Sequence, residues 1–288
     1  MKKISIVIVF LVWIITACQT MIEPERDEVD LDSKEKGEET SDKIEDPVTE
    51  DEDDQVEMDL ATYENRQPLQ WGESVEGVKT RINTDEKVIA LTFDACGGPF
   101  GNGYDEELMN FLKEEQVPAT LFFNERWIKE HEQAFLDLAN NPLFQIENHG
   151  TDHVPLSVNG QSAWGIKGTD SPVSIQHEVM GNQETIKALT GRAPTLFRSG
   201  TAYYDEVAVE IVNELGMEIV NFDVLGDAGA TYSAEQVHQA ILGATNGSIV
   251  LLHMNQPDSG TAMGVKKAVQ DLRDKGFTFV LLEGMDLK

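Results

Sequence analysis

The sequence predicts an α/β fold in which parallel strands form one sheet and helices cover its outer surface. Short apolar runs rich in β-branched and aromatic residues recur from about residue 87 to the C-terminus, and segments with helical spacing separate most of them. The chain has 288 residues and is 40% apolar, which is enough for one large core. This alternation is typical of an open doubly wound sheet or of a closed barrel.

The first 18 residues have the pattern of an export signal. Lys2 and Lys3 precede an apolar run from residue 4 to residue 15, which is shorter than the ~20 residues that a membrane-spanning helix needs. The sequence Ile15-Thr16-Ala17-Cys18 then resembles the lipobox of bacterial lipoproteins. That resemblance implies cleavage before Cys18 and a diacylglyceryl group on its thiol, so the protein would be extracytoplasmic and lipid-anchored to the outer face of the cell membrane. An ordinary signal peptide or an uncleaved anchor is the alternative.

Residues 19–60 are predicted to be an acidic, disordered tether. Between Met21 and Leu60 the chain carries 19 acidic and 4 basic residues, so like charges repel and little apolar surface is available for burial. We therefore place the folded domain at residues 61–288, with its core at 87–284. The net charge of -30 argues against nucleic-acid binding, which needs clustered Lys and Arg.

Seven strands are predicted from the apolar runs. They comprise residues 88–93, 119–123, 144–146, 195–197, 217–220, 248–252 and 277–281. Between strands, apolar residues at i, i+3, i+4 and i+7 predict one helix that ends at Gly216 and another that ends before Gly276. Ser233, three residues before Gln236, predicts a capping box at the start of a further helix.

Ionisable side chains follow five of the predicted strands at their C-terminal ends. They are Asp94 after the first strand, His149 and His153 after the third, Arg198 after the fourth, Asp223 and Asp227 after the fifth, and His253 after the sixth. Because parallel strands bring these ends to one rim, we expect the side chains to surround a single site. His149 and His153 are four residues apart, a spacing that suits a divalent transition metal such as zinc.

The order of these motifs resembles the polysaccharide deacetylases, the NodB-homology group or carbohydrate esterase family four. The matching motifs are Leu91-Thr92-Phe93-Asp94, His149 with His153, Phe197-Arg198, the segment from Asp223 to Asp227, and Leu251-Leu252-His253. The resemblance extends across residues 88–282 and implies a distorted seven-stranded (β/α) barrel. It also implies metal-dependent hydrolysis of N-acetyl groups, or alternatively O-acetyl groups, on an envelope or extracellular polysaccharide such as peptidoglycan or an N-acetylglucosamine polymer.

The resemblance assigns catalytic and metal-binding roles. Asp94 is implied to be the base that takes a proton from water, and His253 the acid that protonates the leaving nitrogen, each step contributing ~10²- to 10⁴-fold. His149 and His153 are implied to hold a divalent metal, for which zinc is expected. Such an ion would polarise the carbonyl oxygen and lower the pKa of its water.

Further residues are implied to orient the base and contact the substrate. Arg198 is implied to orient the base, with Asp223 or Asp227 as its anchor. Leu251 and Leu252 are implied to lie near the acetyl methyl group, although strand core is at least an equally good interpretation of both. Trp164 lies in a polar loop expected above the same rim, where it could stack on a sugar ring or anchor the loop to its own domain.

The first motif departs from the family pattern. The family has a second aspartate here, which is a metal ligand, whereas this chain has Ala95. Asp94 itself, Asp152 or Cys96 could then be the third ligand. Alternatively, two histidines and water hold the ion weakly, or the site binds no metal. For Cys96 we favour the interpretation of a small buried packing residue over that of a ligand or nucleophile.

Two smaller departures concern the arginine. Ser199-Gly200 replaces the usual prolines after it, which predicts a looser loop where the family supplies an oxyanion-binding amide. Asp223 and Asp227 are four residues apart instead of three, so the partner of the arginine stays open.

Two functions of different classes follow from these features. The first is a lipid-anchored deacetylase whose partner is an N-acetylated polysaccharide and which contacts the membrane only through its lipid. The second is a catalytically silent relative that binds glycan or protein at the cell surface, with Ala95 marking a lost metal site. The first is favoured because the other motif residues are all present.

Overall fold

The computed structural model of the chain describes residues 58–288. The predicted signal peptide with its lipidation site Cys18 lies outside the described residues, as does the predicted tether up to residue 57. The first described element is a 3₁₀ turn at Leu60–Tyr63, in which Tyr63 is buried. None of the helices in the described part combines the length and the apolar character needed to cross a bilayer.

The described residues form twelve strands and seven α-helices. The strands are β1 (Trp71–Gly72), β2 (Val88–Ala95), β3 (Ala119–Phe123), β4 (Phe144–Asn148), β5 (Ser162–Ala163), β6 (Ile166–Lys167), β7 (Leu196–Phe197), β8 (Tyr204–Asp205), β9 (Glu218–Ile219), β10 (Val224–Leu225), β11 (Ser248–His253) and β12 (Thr278–Phe279). The helices are α1 (Glu106–Glu114), α2 (Glu125–Glu130), α3 (Glu132–Ala139), α4 (Pro172–Thr190), α5 (Glu206–Glu214), α6 (Ala234–Leu242) and α7 (Thr261–Asp274).

One parallel sheet forms the centre of the domain. Its strands follow the order β10, β11, β2, β3, β4, β7, β9, and β12 pairs with the first residues of β2. Every ladder in this sheet is parallel, and the sheet curls into an incomplete barrel with helices outside. The predicted α/β fold and distorted barrel are therefore confirmed, and each of the seven predicted strands is present.

The edge strands of the barrel do not close it by pairing with each other. Among residues 58–288, β9 and β10 share no ladder. Instead, a segment preceding β2 lies between them, where Lys79 bridges to Val220 and Arg81 bridges to Ser248. The guanidinium of Arg81 also pairs with the carboxylate of Asp223. The N-terminal part of the domain thus completes the sheet.

Alternation along β2 places polar groups inside the barrel. Ile89, Leu91 and Phe93 are fully buried in the apolar layer between the sheet and the helices. Thr92 and Asp94 alternate with them and therefore point to the opposite, inner face. Since both lie in the second half of the strand, the polar groups gather at its C-terminal end, as the sequence predicted.

The helix ends follow the signals found in the sequence. At the start of α6 the Ser233 hydroxyl accepts a hydrogen bond from the Gln236 backbone N–H at 3.4 Å, and the Gln236 side chain accepts one from the Ser233 N–H at 2.9 Å. This confirms the predicted capping box. Helices α5 and α7 are followed by Gly216 and Gly276, whose φ angles are +86° and +82°.

Candidate functional site

The C-terminal ends of four strands bring the predicted side chains together. The parallel register places His253, the last residue of β11, directly beside Asp94 on β2. His149 follows β4 and Arg198 follows β7, and these two strands are neighbours in the sheet. The site therefore assembles at one end of the barrel from segments far apart in the chain.

Asp94 and Arg198 form a buried ion pair. Arg198 Nη1 donates to Asp94 Oδ1 at 2.8 Å and to Thr92 Oγ1 at 3.0 Å, and its guanidinium carbon lies 4.2 Å from the centroid of the Phe122 ring. Asp94 Oδ2 lies 3.6 Å from His149 Nε2. The arginine thus holds one carboxylate oxygen and leaves the other facing the histidine.

Besides Asp94, main-chain carbonyl groups anchor Arg198. Its Nε donates to the carbonyl oxygen of Val220 at 3.0 Å and its Nη2 to that of Asn221 at 3.1 Å. The prediction that Asp223 or Asp227 would anchor the arginine is therefore wrong. The carbonyl groups that follow β9 already occupy these donors.

Asp223 lies at the opposite end of the barrel from the site. Its backbone N–H donates to the carbonyl of Ile249 near the start of β11, whereas His253 ends that strand. Its carboxylate pairs with Arg81 and accepts a hydrogen bond from Ser248 Oγ at 2.9 Å. The predicted catalytic role of Asp223 is therefore wrong, because the strand register separates it from the reacting groups.

Asp227 positions His253. Its Oδ1 lies 2.8 Å from His253 Nδ1, and its Oδ2 accepts from the His253 backbone N–H at 2.7 Å and from Thr261 Oγ1 at 3.0 Å. Because an ionised carboxylate only accepts hydrogen bonds, Nδ1 carries a proton. The other ring nitrogen of His253 is then free for the chemistry of the cleft.

Cys96, His149 and His153 form a cluster whose donor atoms lie within 4.8 Å of one another. Cys96 Sγ is 3.8 Å from His149 Nε2, and the two imidazole rings meet nearly at right angles with centroids 4.9 Å apart. The favoured interpretation of Cys96 as a packing residue is therefore wrong. Strand β2 ends at Ala95, so the thiol lies at the rim, facing the imidazoles.

The atoms of this cluster fit a metal ion. His149 Nδ1 lies 2.8 Å from the carbonyl oxygen of Arg198, so Nδ1 carries a proton, and the neutral ring would present the lone pair of Nε2 toward Cys96. His153 Nε2 is buried and has no hydrogen-bond partner among the described residues, a deficit that a bound cation would remove. A thiolate and two imidazoles are ligands that zinc prefers.

Glu178 on α4 holds the loop that carries His153. Its carboxylate accepts hydrogen bonds from the backbone N–H groups of Asp152 at 2.7 Å and Val154 at 3.3 Å. Gly150 has a φ of +79°, and a Cβ there would lie 2.3 Å from Glu178 Oε1. Burial raises the pKa of Glu178 to about 7. Glycine and glutamate together therefore shape the histidine loop.

The loop after Arg198 is ordered by its own contacts. A Cβ on Gly200 would lie 2.4 Å from the main-chain carbon and from Cγ of His153. The Ser199 N–H donates to the Tyr204 hydroxyl at 2.8 Å, and the Ala202 N–H donates to the Ser199 carbonyl at 3.0 Å. The expectation of a looser loop is therefore wrong, since glycine is needed for the close approach of His153.

Charges in the site separate the pKa values of its groups. Burial opposes ionisation of Asp94, but Arg198 and the neighbouring histidines outweigh it and hold the pKa of Asp94 below its ordinary value. Burial likewise opposes protonation of His253, but Asp227 keeps the pKa of His253 well above the usual range. Burial is also outweighed at Cys96, where nearby imidazoles hold the pKa of the thiol well below its ordinary value. The surroundings therefore favour the charged forms of all three groups, a carboxylate at Asp94, an imidazolium at His253 and a thiolate at Cys96.

An open cleft of about 410 Å³ leads to these groups. Cys96, His153 and His253 line it, together with the exposed side chains of Phe100 and Ile166. Three larger cavities in the described part contain none of the predicted site residues. Two of them, of about 760 and 570 Å³, lie near the beginnings of the strands, and one of about 540 Å³ lies beside α1. The chemistry therefore favours the smaller cleft as the functional one.

Comparison with known proteins agrees with this site. The polysaccharide deacetylase family matches residues 81–220, a range that includes Asp94, both histidines of the cluster and Arg198. Residues 81–220 are therefore similar to the polysaccharide deacetylases.

Similar proteins include enzymes and one protein described as a pseudoenzyme. The peptidoglycan-N-acetylmuramic acid deacetylase PdaA of Bacillus subtilis (strain 168) is 25% identical over 235 residues, which are 77% of this chain and 82% of PdaA. The solved structure of PdaA, a family 4 carbohydrate esterase, has a TM-score of 0.60 at 23% identity and covers 72% of this chain and 83% of its own. A family pseudoenzyme from Bacillus anthracis also has a TM-score of 0.60, at 21% identity over 71% of this chain and 67% of its own. A family 4 acetyl xylan esterase from Clostridium thermocellum in complex with cobalt has a TM-score of 0.57 at 24% identity, covering 68% and 88% of the two chains.

Leu252 does not face the cleft. It is fully buried in the apolar layer outside the sheet, together with Val250. Leu251 alternates with it and shares the inner face with His253. The predicted substrate contact of Leu252 is therefore wrong, because one step along a strand reverses the direction of the side chain.

Trp164 occupies the turn of the hairpin formed by β5 and β6. It is 74% exposed, and its ring lies edge-on to Tyr203 with centroids 5.8 Å apart. Trp71 lies on Tyr203 as well, at 5.7 Å. Because Ile166 of the same hairpin lines the cleft, the contact of Trp164 with a glycan remains a reasonable prediction.

Sequence analysis did not identify some residues that support the site. Thr92 binds Arg198, Thr261 binds Asp227, and Glu178 holds the histidine loop. The sequence could have identified Thr92, because it lies two residues before Asp94 on the same strand and therefore shares its face. The sequence did not indicate the role of Glu178, because a glutamate within a helix is typical of a solvent-exposed face.

Proposed function

We propose that the protein hydrolyses N-acetyl groups, or alternatively O-acetyl groups, on an envelope or extracellular polysaccharide such as peptidoglycan. The observation that carries the proposal is the pairing of Asp94 and His253 on adjacent strands, beside the cluster of Cys96, His149 and His153. Amide hydrolysis requires a base for the attacking water and an acid for the leaving nitrogen. The separated pKa values of Asp94 and His253 suit these two roles.

In the proposed reaction Asp94 acts through Oδ2, because Oδ1 is held by Arg198. Oδ2 accepts a proton from the water whose oxygen attacks the acetyl carbonyl carbon. His253 donates its Nε2 proton to the nitrogen as the carbon–nitrogen bond breaks, so the products are acetate and a free amine. Asp227 keeps the His253 ring oriented throughout and favours its protonated form before the proton is donated.

The cluster is proposed to hold a divalent metal, with zinc as the preferred ion. A divalent metal held by these residues would supply polarisation of the acetyl carbonyl and a lowered pKa of water. His149 and His153 supply Nε2 atoms toward it, and the hydrogen bond from His149 Nδ1 to the Arg198 carbonyl fixes the required tautomer.

The proposed substrate is an N-acetylated polysaccharide. The relative PdaA is named for N-acetylmuramic acid in peptidoglycan, and that substrate class is carried over here as a proposal. Leu251 faces inward beside the reacting groups and is proposed to contact the acetyl methyl group, while Trp164 is proposed to stack on a sugar ring.

Acetate release tests the proposed function. The purified chain is incubated with N-acetylglucosamine oligomers and with peptidoglycan, with and without a chelator. We expect acetate release that the chelator abolishes and zinc restores, and a loss of at least ~100-fold in His149→Ala, since even partners of metal ligands contribute 10- to 100-fold. His177→Ala, an exposed histidine on α4, is the matched control. No acetate from any of these glycans with the zinc-loaded chain would contradict the proposal.

A catalytically silent, glycan-binding surface protein is the second candidate. Ala95 favours it, because this residue replaces a family ligand and is fully buried in the apolar layer outside the sheet. This candidate predicts glycan binding without acetate release, and unchanged binding in Asp94→Asn. Binding and release measured on the same oligomers separate the two functions.

Lipid anchoring through Cys18 is proposed for the exported protein. The lipobox-like sequence before Cys18 supports it. Expression in a bacterium fed a labelled fatty acid should label the chain in the membrane fraction, and Cys18→Ser should lose both the label and the membrane association. Equal labelling of the variant would exclude this cysteine as the anchor.

A further inference from the structure

The donor set around His153 differs from the aspartate and two histidines that the family resemblance implies. Ala95 occupies the position of the aspartate and is buried outside the sheet. The next residue, Cys96, instead places Sγ within 4.8 Å of the nearest ring nitrogens of His149 and His153. The thiol of Cys96 thus lies beside both imidazoles, where the family resemblance implies a carboxylate ligand.

The nearby carboxylates are less suited to be the third ligand. Asp94 has one oxygen committed to Arg198, and it lies outside the group of mutually close donor atoms. Asp152 is exposed and also lies outside that group. Among the described residues, Cys96 is therefore the third donor that shares one point with both imidazoles.

We infer that Cys96 is the third protein ligand, so that this chain holds a thiophilic ion such as Zn²⁺ in a Cys-His-His site. This inference deepens the proposed function and rests on it for the role of the ion. Three protein ligands leave one position of a tetrahedral ion open, as in catalytic zinc sites. Thiolate ligation also selects zinc over hard ions such as Mg²⁺ and Mn²⁺, which prefer oxygen. Asp94 then stays free of the ion.

Cobalt substitution tests the ligand directly. The metal-free full-length chain is titrated with Co²⁺, which gives a sulfur-to-metal charge-transfer absorption only when a thiolate binds it. We expect this absorption to saturate at one equivalent and to persist in Cys18→Ser, which removes the only other cysteine. It should disappear in Cys96→Ser, which keeps the size of the side chain.

Zinc affinity and thiol protection provide independent readouts. Cys96→Ser should weaken zinc binding by at least ~100-fold, because removing a ligand costs more than removing its supporting partner. Cys96→Asp should lose the absorption and shift the preference toward Mn²⁺. In Cys18→Ser, stoichiometric zinc should slow alkylation of the remaining thiol, a measurement that needs no change at residue 96.

The outcomes separate this inference from the proposed function. Unchanged zinc affinity in Cys96→Ser would overturn the inference, and so would cobalt binding by the wild-type chain without the absorption. If the chain nevertheless releases acetate, the proposed function is still supported. The absorption without acetate release would support the inference and count against the function. A chain that binds neither zinc nor cobalt would overturn the inference as well.

Discussion

At the scale of single residues, the two oxygens of Asp94 have different surroundings. Arg198 binds Oδ1 at 2.8 Å, whereas Oδ2 lies toward His149. The arginine is itself held by two main-chain carbonyl groups and by the ring of Phe122. Among the described residues, no second carboxylate binds the guanidinium of Arg198. Its positive charge therefore acts on Asp94 and keeps that carboxyl group ionised.

Asp94→Asn tests the role of this carboxylate as the base. We expect kcat/KM for acetate release to fall by ~10²- to 10⁴-fold, while zinc affinity changes little, because Asp94 is not a ligand. The variant leaves Arg198 buried without its counter-charge, so the free energy of unfolding should fall by about 3–5 kcal/mol. Denaturant unfolding and zinc titration measure these effects. Asp152→Asn, an exposed carboxylate at the cleft, is the control, and equal losses in both variants would refute the assignment.

Asp227→Asn tests the role of His253 as the acid. His253 must be protonated to act, and Asp227 raises the pKa of His253 against the opposing effect of burial. Activity should therefore be lost as pH rises through this raised pKa. Removing the charge at residue 227 lowers the pKa, so the alkaline limb of the kcat/KM profile should move to lower pH. An alkaline limb that stays in place would show that another group controls it.

At the scale of elements, the hairpin of β5 and β6 stands beside the cleft. The hairpin is short, and its turn residue Trp164 has a φ of +55°. Tyr203 supports the exposed indole from one edge. An exposed ring held in place by a second ring loses little side-chain entropy when a sugar stacks on it.

Trp164→Ala should therefore weaken substrate binding without changing the chemical step. We expect KM for a glycan oligomer to rise about 3- to 10-fold, in line with the energy of one aromatic contact, and kcat to stay within about two-fold. Steady-state kinetics on oligomers of increasing length measure both values. Val173→Ala, an exposed residue at the start of α4, is the control. An unchanged KM in Trp164→Ala would place the substrate elsewhere.

At the scale of the whole molecule, the barrel is completed by a segment that precedes its first long strand. Arg81 from that segment pairs with Asp223 and donates to the carbonyl of Asn246 at 2.6 Å. The two charged side chains are partly exposed, so their contribution is smaller than that of a buried pair. They join this segment to the edge of the sheet formed by β10 and β11.

Asp223→Asn tests this structural role. We expect the free energy of unfolding to fall by about 1–2 kcal/mol, since the carboxylate binds Arg81, Ser248 and the backbone N–H of Ile249. Acetate release should be unchanged, and the alkaline limb should stay where it is in the wild type. Thermal and denaturant unfolding measure the first effect. A large loss of kcat with full stability would restore Asp223 to the catalytic site.

Local patterns determined the fold and most of the catalytic set from the sequence alone. Strand positions, the ends of α5 and α7 and the capping box at Ser233 depend on neighbouring residues, so periodicity revealed them. Asp94, His149, Arg198 and His253 follow strands whose parallel order brings their ends together, so their convergence could also be predicted.

Only the tertiary structure decided how these residues are partnered. It showed that Arg198 binds main-chain carbonyl groups, that Asp227 binds His253 and that Cys96 lies beside the two imidazoles. Such contacts join segments that are distant in the chain and depend on register and side-chain direction. A shift of one residue exchanges the two faces of a strand, which is why the sequence could not distinguish Leu251 from Leu252.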